Sequence, residues 1–350
     1  MPFGSVGFLG VRLTCNNLDL DTEPLAVMLF PQKTEVNHNK VGQLLERHWG
    51  LKLGPCIKAS QNHTFKVMKD NVTFILRVTP DPSNQSCQRI EDELTFVRFL
   101  KSEGLSTCGP IPTLEGLLLL RVDDLTLCVF ECAKGKAVSS LEWLQQDYAS
   151  ALGRWLAKFH VLSKKFMNQH PEVASRFRRW NELHDGVLKE IAAEEVDTEL
   201  MGNEKHWGLL HGDVNPSNWF FDAASSDLCV FDWDQVQQGW WLMDLAQAIW
   251  AAFLLKWAGK PVDGSAIPGC DPHQYLEWVT QSYESAGGAT VDRDRLRRML
   301  TIRKEFYERF CRRALVEGVP DDMKPFIEYV VAFFDRPNVS ELSFEPPSLD

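Results

Sequence analysis

Apolar and polar positions divide this chain into a strand-rich first part and a helix-rich second part. Val41 to Trp49, VGQLLERHW, spaces its apolar residues as an amphipathic helix does. HTFKVM and TFILRVT then alternate in strand fashion, and Lys69-Asp70-Asn71 between them predicts a hairpin. In RIEDELTFVRFL, Ile90, Leu94, Val97 and Leu100 return to helical spacing. LLLLRV and LTLCVFE follow around Asp123-Asp124, a second hairpin. Residues 36–133 therefore read β-β-α-β-β, a small mixed lobe. After Lys134-Gly135 helical spacing dominates: Leu152 to Leu162, Arg176 to Ile191, Asp244 to Trp257, Tyr275 to Tyr283 and Leu296 to Leu315. The strong strand signals there are SNWFFD and LCVFD. The pattern predicts an α+β protein, with a second lobe over 134–350 and an N-terminal extension over 1–35. The extension contains GSVGFLG, which is not a GxGxxG fingerprint and follows no strong strand.

Composition narrows the class. A chain of 350 residues can bury two substantial cores, and 44% hydrophobic with 24% charged residues fits a globular fold. The longest apolar stretch, near Leu245 to Leu255, is about half the ~20 residues of a membrane helix and is interrupted by Gln247. No membrane span is expected. The N-terminus has no basic region ahead of its apolar part, so it makes a poor secretory signal. Nine cysteines without a CxxC pair suggest buried, reduced thiols and a cytoplasmic location. The sequons at Asn62, Asn71, Asn84 and Asn338 are then chance matches. A net charge of −11 argues against nucleic-acid binding through a basic face. The same charge suits a cationic substrate or simply solubility. Nothing in the sequence indicates an oligomeric state.

Candidate chemistry is concentrated in LLHGDVNPSNWFFD, residues 209–222, and in the VFDWDQ that follows. Asp213 and Asn218 form D-x4-N, and Asp232 lies fourteen residues past Asn218 at the end of a strand. A loop aspartate can take the proton of a substrate hydroxyl. An asparagine oxygen and a second carboxylate can share a hard cation such as Mg²⁺. Phosphoryl-transfer sites of the protein-kinase type are assembled this way. Each of these residues is also at home in a turn or cap, and their joint spacing is what favours chemistry. Asp244 has two readings, a helix N-cap or a tie for the catalytic loop. His211 reads as a structural histidine in a tight turn. Trp219, Trp233, Trp240, Trp241, Trp250 and Trp257 fit either a core or an aromatic box for a cation. Neither a zinc-type His/Cys set, a Walker A loop nor a G-x-S-x-G elbow occurs.

These motifs resemble the aminoglycoside phosphotransferase and choline kinase-like family, nearest to the branch that includes type II homoserine kinases. LLHGDVNPSNWFFD is similar to its catalytic loop, VFDWDQ to its metal-binding aspartate motif, and GWWLMDLAQAIW to the helix start that follows. RIEDELTFVRFL, CVFECAKG and ALGRWLAKFH resemble the first-lobe helix, the hinge and the next helix, in the right order over roughly residues 40–310. The resemblance implies a bilobal, protein-kinase-like fold that phosphorylates a hydroxyl of a small molecule with ATP and Mg²⁺. It gives Asp213 the acceptor hydroxyl, Asn218 and Asp232 the metal, and Asp234 a place facing the substrate. Glu93 would anchor the phosphate-contacting cation, and Glu131 and Cys132 would meet adenine through their backbones. Two departures stand out. FILRV carries Arg77 where a lysine is usual, with Lys66 on the preceding strand as a competitor. The phosphate-covering loop has Ala59, Ser60, Gln61 and Asn62 in place of glycines, with Asn62 the candidate nucleotide contact. A protein serine/threonine kinase and a degenerate kinase fold used for binding are the alternatives.

Overall fold

The computed structural model describes residues 35–59, 62–81, 86–138, 141–180, 206–258, 271–319, 324–336, 339 and 344–345. The N-terminal extension, Ser60, Gln61, Asn84, Asn338 and most of the helix expected over Arg176 to Ile191 lie outside them. The chain divides into two compact units with a boundary at Ala133/Lys134.

In the first unit, helix α1 (His38–Trp49) starts on an N-cap bond from Lys40 N–H to Asn37 Oδ1. It ends at Gly50, which takes the left-handed conformation with φ +66°. Strands β1 (Lys52–Ala59), β2 (His63–Lys69), β3 (Val72–Pro80), β4 (Pro110–Ile111), β5 (Leu120–Val122) and β6 (Leu125–Glu131) make one antiparallel sheet. Its backbone order is β1-β2-β3-β6-β4, with β5 also paired to β6. Asp70 and Asn71 close the β2–β3 hairpin at φ +48° and +64°, the conformation that makes a two-residue turn match strand twist. Asp123 turns the β5–β6 hairpin at φ +53°. Both hairpins lie where the sequence predicts them. Strand β1 was not among the predicted elements. Gly54 and Pro55 break its alternation, two register shifts interrupt its pairing, and most of its residues are exposed.

Period two sorts the sheet's side chains. Leu76 and Val78 of β3 join Leu125, Leu127 and Val129 of β6 on the face covered by Val41, Leu45 and Trp49 of α1. Arg77 and its register partner Cys128 take the other face. There helix α2 (Cys87–Ser102) contributes Ile90 and Leu94 to a cluster with Cys128. Glu93 sits between those two apolar positions on the helix's buried side, so the helical period brings a carboxylate to Arg77.

The second unit is mainly helical. Helices α3 (Gln146–Gln169) and α5 (Pro272–Ser285) pack so closely at Gly153 that a Cβ there would stand 2.2 Å from the Val279 carbonyl oxygen. Helix α4 (Trp241–Ala258) is buried along nearly its whole length, as its all-round apolar sequence requires. Helices α6 (Arg293–Glu317) and α7 (Lys324–Phe334) pack against α4 and α6, respectively. Strands β7 (Trp207–Leu210) and β10 (Gln237–Trp240) form one antiparallel pair, and β8 (Trp219–Asp222) and β9 (Asp227–Val230) another. Trp219, Trp233, Trp240 and Trp250 are at most 2% exposed, so these indoles are core and build no cation box. Among the described residues no helix is long and apolar enough to cross a membrane, and seven cysteines are free thiols.

Candidate active site

The loop 211–218 is held from three sides. Ser163 of α3 bonds both backbone groups of Leu209, accepting its N–H at 2.7 Å and donating to its carbonyl at 2.8 Å. That fixes the end of β7, where the loop departs. The carboxylate of Asp244, in the first turn of α4, accepts His211 N–H and Gly212 N–H, each at 2.9 Å. Asp244 is 1% exposed, and this geometry makes it the tie for the loop. Gly212 has φ +80°, and a Cβ there would stand 2.5 Å from the Gln235 carbonyl oxygen. His211 is fully buried, donates from Nε2 to the Phe231 carbonyl at 3.2 Å and accepts Asp213 N–H at Nδ1. These partners assign the neutral Nε2–H tautomer. The ring is thus a bracket between loop and hairpin.

Asp213 sits at the centre of this frame. One carboxylate oxygen accepts Asn215 Nδ2–H at 2.8 Å and Gln247 Nε2–H at 3.4 Å, and the other accepts Asn218 Nδ2–H at 2.8 Å. Burial, reinforced by the charges of Asp232 and Asp234 and opposed by the Asn215 amide and Arg303, pushes its pKa up to about 7. A buried carboxylate in that range is suited to exchanging a proton near neutrality.

Strand register explains the fourteen-residue gap between Asn218 and Asp232. Trp219 pairs with Val230, and the next step outward is the bond from Phe231 N–H to the Asn218 carbonyl at 2.9 Å. The hairpin therefore carries Asp232 to within one residue of Asn218's partner. Asp232 holds φ +70°, in the left-handed region that aspartate enters more readily than most residues. The Asn218 amide nitrogen is engaged by Asp213 Oδ2 and by its backbone carbonyl at 2.9 Å, which fixes the side chain so that Oδ1 turns away from them. Asn218 Oδ1 and the Asp232 carboxylate are hard oxygen donors. A cation that completes its shell with phosphate oxygens and water suits such a set. The negative charges of Asp232 and Asp234, both of which reach Asp213, also suit one. The residues fit a divalent metal.

In the first unit Arg77 and Glu93 form a buried bidentate ion pair, both bonds 2.9 Å, with the guanidinium 5.2 Å from the Phe130 ring centroid. Lys66 is exposed on the neighbouring strand. Asn62 is buried, and its Oδ1 accepts the Thr79 hydroxyl at 2.8 Å. At the end of β6 the Glu131 N–H donates to the Gly109 carbonyl at 2.9 Å, and its carboxylate pairs with Lys101. Cys132, the next residue, is exposed. The sequence did not single out Asn215, and it noted Gln247 only as a break in the apolar run; the other polar intruders around the loop gave no local signal.

His160 of α3 supplies a pH-sensitive support. Its Nδ1 is 2.9 Å from the Tyr283 hydroxyl and its Nε2 3.3 Å from Asp244 Oδ2. Burial pushes its pKa below the ordinary 6.5, and Asp244 only partly opposes that. As pH falls below about 6.5 the unfolded chain binds this proton first. The stability contributed by neutral His160 is therefore complete above that value and is lost on acidification. Relative to His160→Gln, the wild-type urea midpoint should fall between about pH 8 and about pH 5.5, the titration of Asp213 being common to both proteins. Equal slopes in the two proteins would rule this out.

Comparison with known proteins came to the same region. The sequence profile of the family described as "Phosphotransferase enzyme family" matches residues 57–267. An amicoumacin kinase of Bacillus subtilis (strain 168) is 25% identical over 205 residues, 53% of this chain and 59% of that protein. The match thus spans about three-fifths of the relative's length. Among solved structures, amicoumacin kinase hAmiN in complex with AMP-PNP, Ca²⁺ and Ami superposes with a TM-score of 0.66 at 15% identity, covering 86% of this chain and 94% of that one. A microcompartment-associated aminopropanol kinase gives 0.59 at 17% identity, covering 84% and 95%. These likenesses show a shared fold.

Proposed function

Because the chain belongs to the phosphotransferase enzyme family, we propose that it moves the γ-phosphate of ATP to a hydroxyl of a small molecule: an amino alcohol, an amino acid or a sugar-like compound. The observation that carries this reading is the single hydrogen-bonded frame in which Asn218 binds Asp213 while the hairpin brings up Asp232. Asp213 orients the acceptor hydroxyl and takes its proton. Asn218 and Asp232 hold Mg²⁺ on the nucleotide. Bound there, the cation neutralises phosphate charge. Asp234 lies toward the acceptor. Arg77, held flat by Glu93, serves the phosphates in place of a lysine, and the backbone near Glu131 and Cys132 serves adenine. The complex of hAmiN with AMP-PNP and Ca²⁺ supports a nucleotide and a divalent cation. A cytoplasmic location and kinship with the type II homoserine kinase branch belong to the same proposal.

The buried Arg77–Glu93 pair also weighs against a degenerate binding module, since a bidentate buried pair is costly to keep without a use. ATP consumption should appear with Mg²⁺ and a panel of hydroxyl compounds. Asp232→Asn should raise the Mg²⁺ concentration needed for half-maximal rate by about tenfold or more. Activity that is indifferent to chelation, or a metal requirement unchanged in Asp232→Asn, would defeat the assignment.

A further inference from the structure

Beside the Asp213 loop, wholly inside the second unit, lies a small cavity of about 40 Å³ bordered by Gly212 and Asp244. Gln237, Gln247 and Arg303 line it, and each contributes a solvent-shielded atom with no partner among the described residues: Gln237 Oε1, Gln247 Oε1 and Arg303 Nε. Buried polar atoms are normally bonded, so three around one cavity point to a ligand. Their chemistry is specific. Gln247 is oriented by its Nε2–H donation to Asp213, so its oxygen is an acceptor in want of a donor. Gln237 packs its amide nitrogen against Gly212 and likewise leaves its oxygen unbonded. Arg303 lies 5.1 Å over the Phe306 ring and, among the described residues, pairs with no carboxylate within bonding distance. Burial pushes its pKa down, and the charge of Asp213 opposes this.

The complementary ligand has an anion for the guanidinium and N–H donors for the two glutamine oxygens. We propose that this cavity is the acceptor pocket and that it selects a hydroxy amino acid: carboxylate on Arg303, ammonium on Gln237 and Gln247, hydroxyl toward Asp213. The inference rests on the phosphotransferase reading and deepens it. A planar guanidinium fork matches a carboxylate in geometry as well as charge. Trp180, Met299 and Phe306 supply an apolar wall for the aliphatic chain. An amino alcohol without the carboxylate leaves Arg303 unmatched, and a polycationic acceptor is repelled by it.

The test is titration calorimetry on the full chain with matched pairs that differ only by a carboxylate. L-serine is compared with ethanolamine, L-homoserine with 3-aminopropan-1-ol, and 5-hydroxy-L-norvaline with 4-aminobutan-1-ol. At least one amino acid should bind about 10- to 100-fold more tightly than its partner, the range expected of a charge-assisted bond. Arg303→Gln should erase that preference, and Arg303→Lys should keep part of it. If no pair shows a preference, or the preference survives in Arg303→Gln, the proposal falls. A purely structural Arg303 would weaken both members of a pair alike. Should Arg303→Gln not fold, the wild-type pairs and Arg303→Lys still decide. ADP release scores the underlying reading separately. A preferred amino acid that binds without turnover leaves the pocket standing and removes the transferase, whereas turnover of the alcohols without preference removes only the pocket.

Discussion

Asp213→Ala should lower the rate of ATP-dependent phosphorylation by a factor on the order of 10² to 10⁴, the range of positioned base catalysis, and leave the fold nearly unchanged. The second half of that expectation comes from the hydrogen bonds. Asn218 Nδ2 and Asn215 Nδ2 both also reach the Asp213 backbone carbonyl, at 2.9 and 3.4 Å, and the Asn215 N–H donates to it at 2.9 Å. Those bonds survive when the side chain is removed. The lost carboxylate is itself an unfavourable group, buried and pushed up to about 7 by desolvation and by Asp232 and Asp234. Its removal relieves repulsion while it deletes acceptors. Circular dichroism and a urea midpoint close to wild type, beside a collapsed turnover number, are the expected pair of results. Near-normal turnover would remove Asp213 from the chemistry. A collapsed midpoint would show that the carboxylate holds the loop rather than serving the substrate.

What the sequence made legible and what it hid follow from the range of the interactions involved. Asp213, Asn218 and Asp232 stood out because loop, strand and returning strand lie within twenty residues, and hairpin register converts that spacing directly into proximity. Glu93 was singled out through the family resemblance of RIEDELTFVRFL, and the apolar period of α2 with the alternation of β3 explains why it meets Arg77. The α+β class and the two hairpin turns followed from period and from residues that accept positive φ. Strands β7 and β10 are four residues each and owe their pairing to a contact between segments about thirty residues apart, so neither carries a periodic signal of its own. Arg303 was invisible for a different reason. Helix α6 bears charges along most of its length, and only the fold decides which of them turns inward beside Asp213. Asp244 stood between two meanings because a carboxylate in a helix's first turn is favoured there whether or not anything else needs it.

Asp244→Ala should do what Asp213→Ala does not: take stability and activity down together. Its two oxygens satisfy the backbone N–H groups of His211 and Gly212 and meet His160 Nε2, all in a nearly sealed interior. Removing them strands two buried donors, each at a cost of about 1–3 kcal/mol. The total is a large share of the 5–15 kcal/mol typical of a domain. The harm also has an address. Gly212 holds φ +80° against the Gln235 carbonyl, a conformation that depends on its N–H being held from behind. With the tie gone, the segment carrying Asp213 is free to relax away from Asn218 and Gln247. Amide exchange at His211 and Gly212 should accelerate before that of α3 or α5 does, because the opening is local. Asp244→Asn should fall in between, since one carbonyl oxygen can still accept one N–H while its NH₂ opposes the other. If Asp244→Ala unfolds at the wild-type midpoint, the loop is held elsewhere and the two carboxylates have been given the wrong division of labour. If stability falls while turnover per folded molecule is unchanged, Asp244 supports the domain without positioning the base.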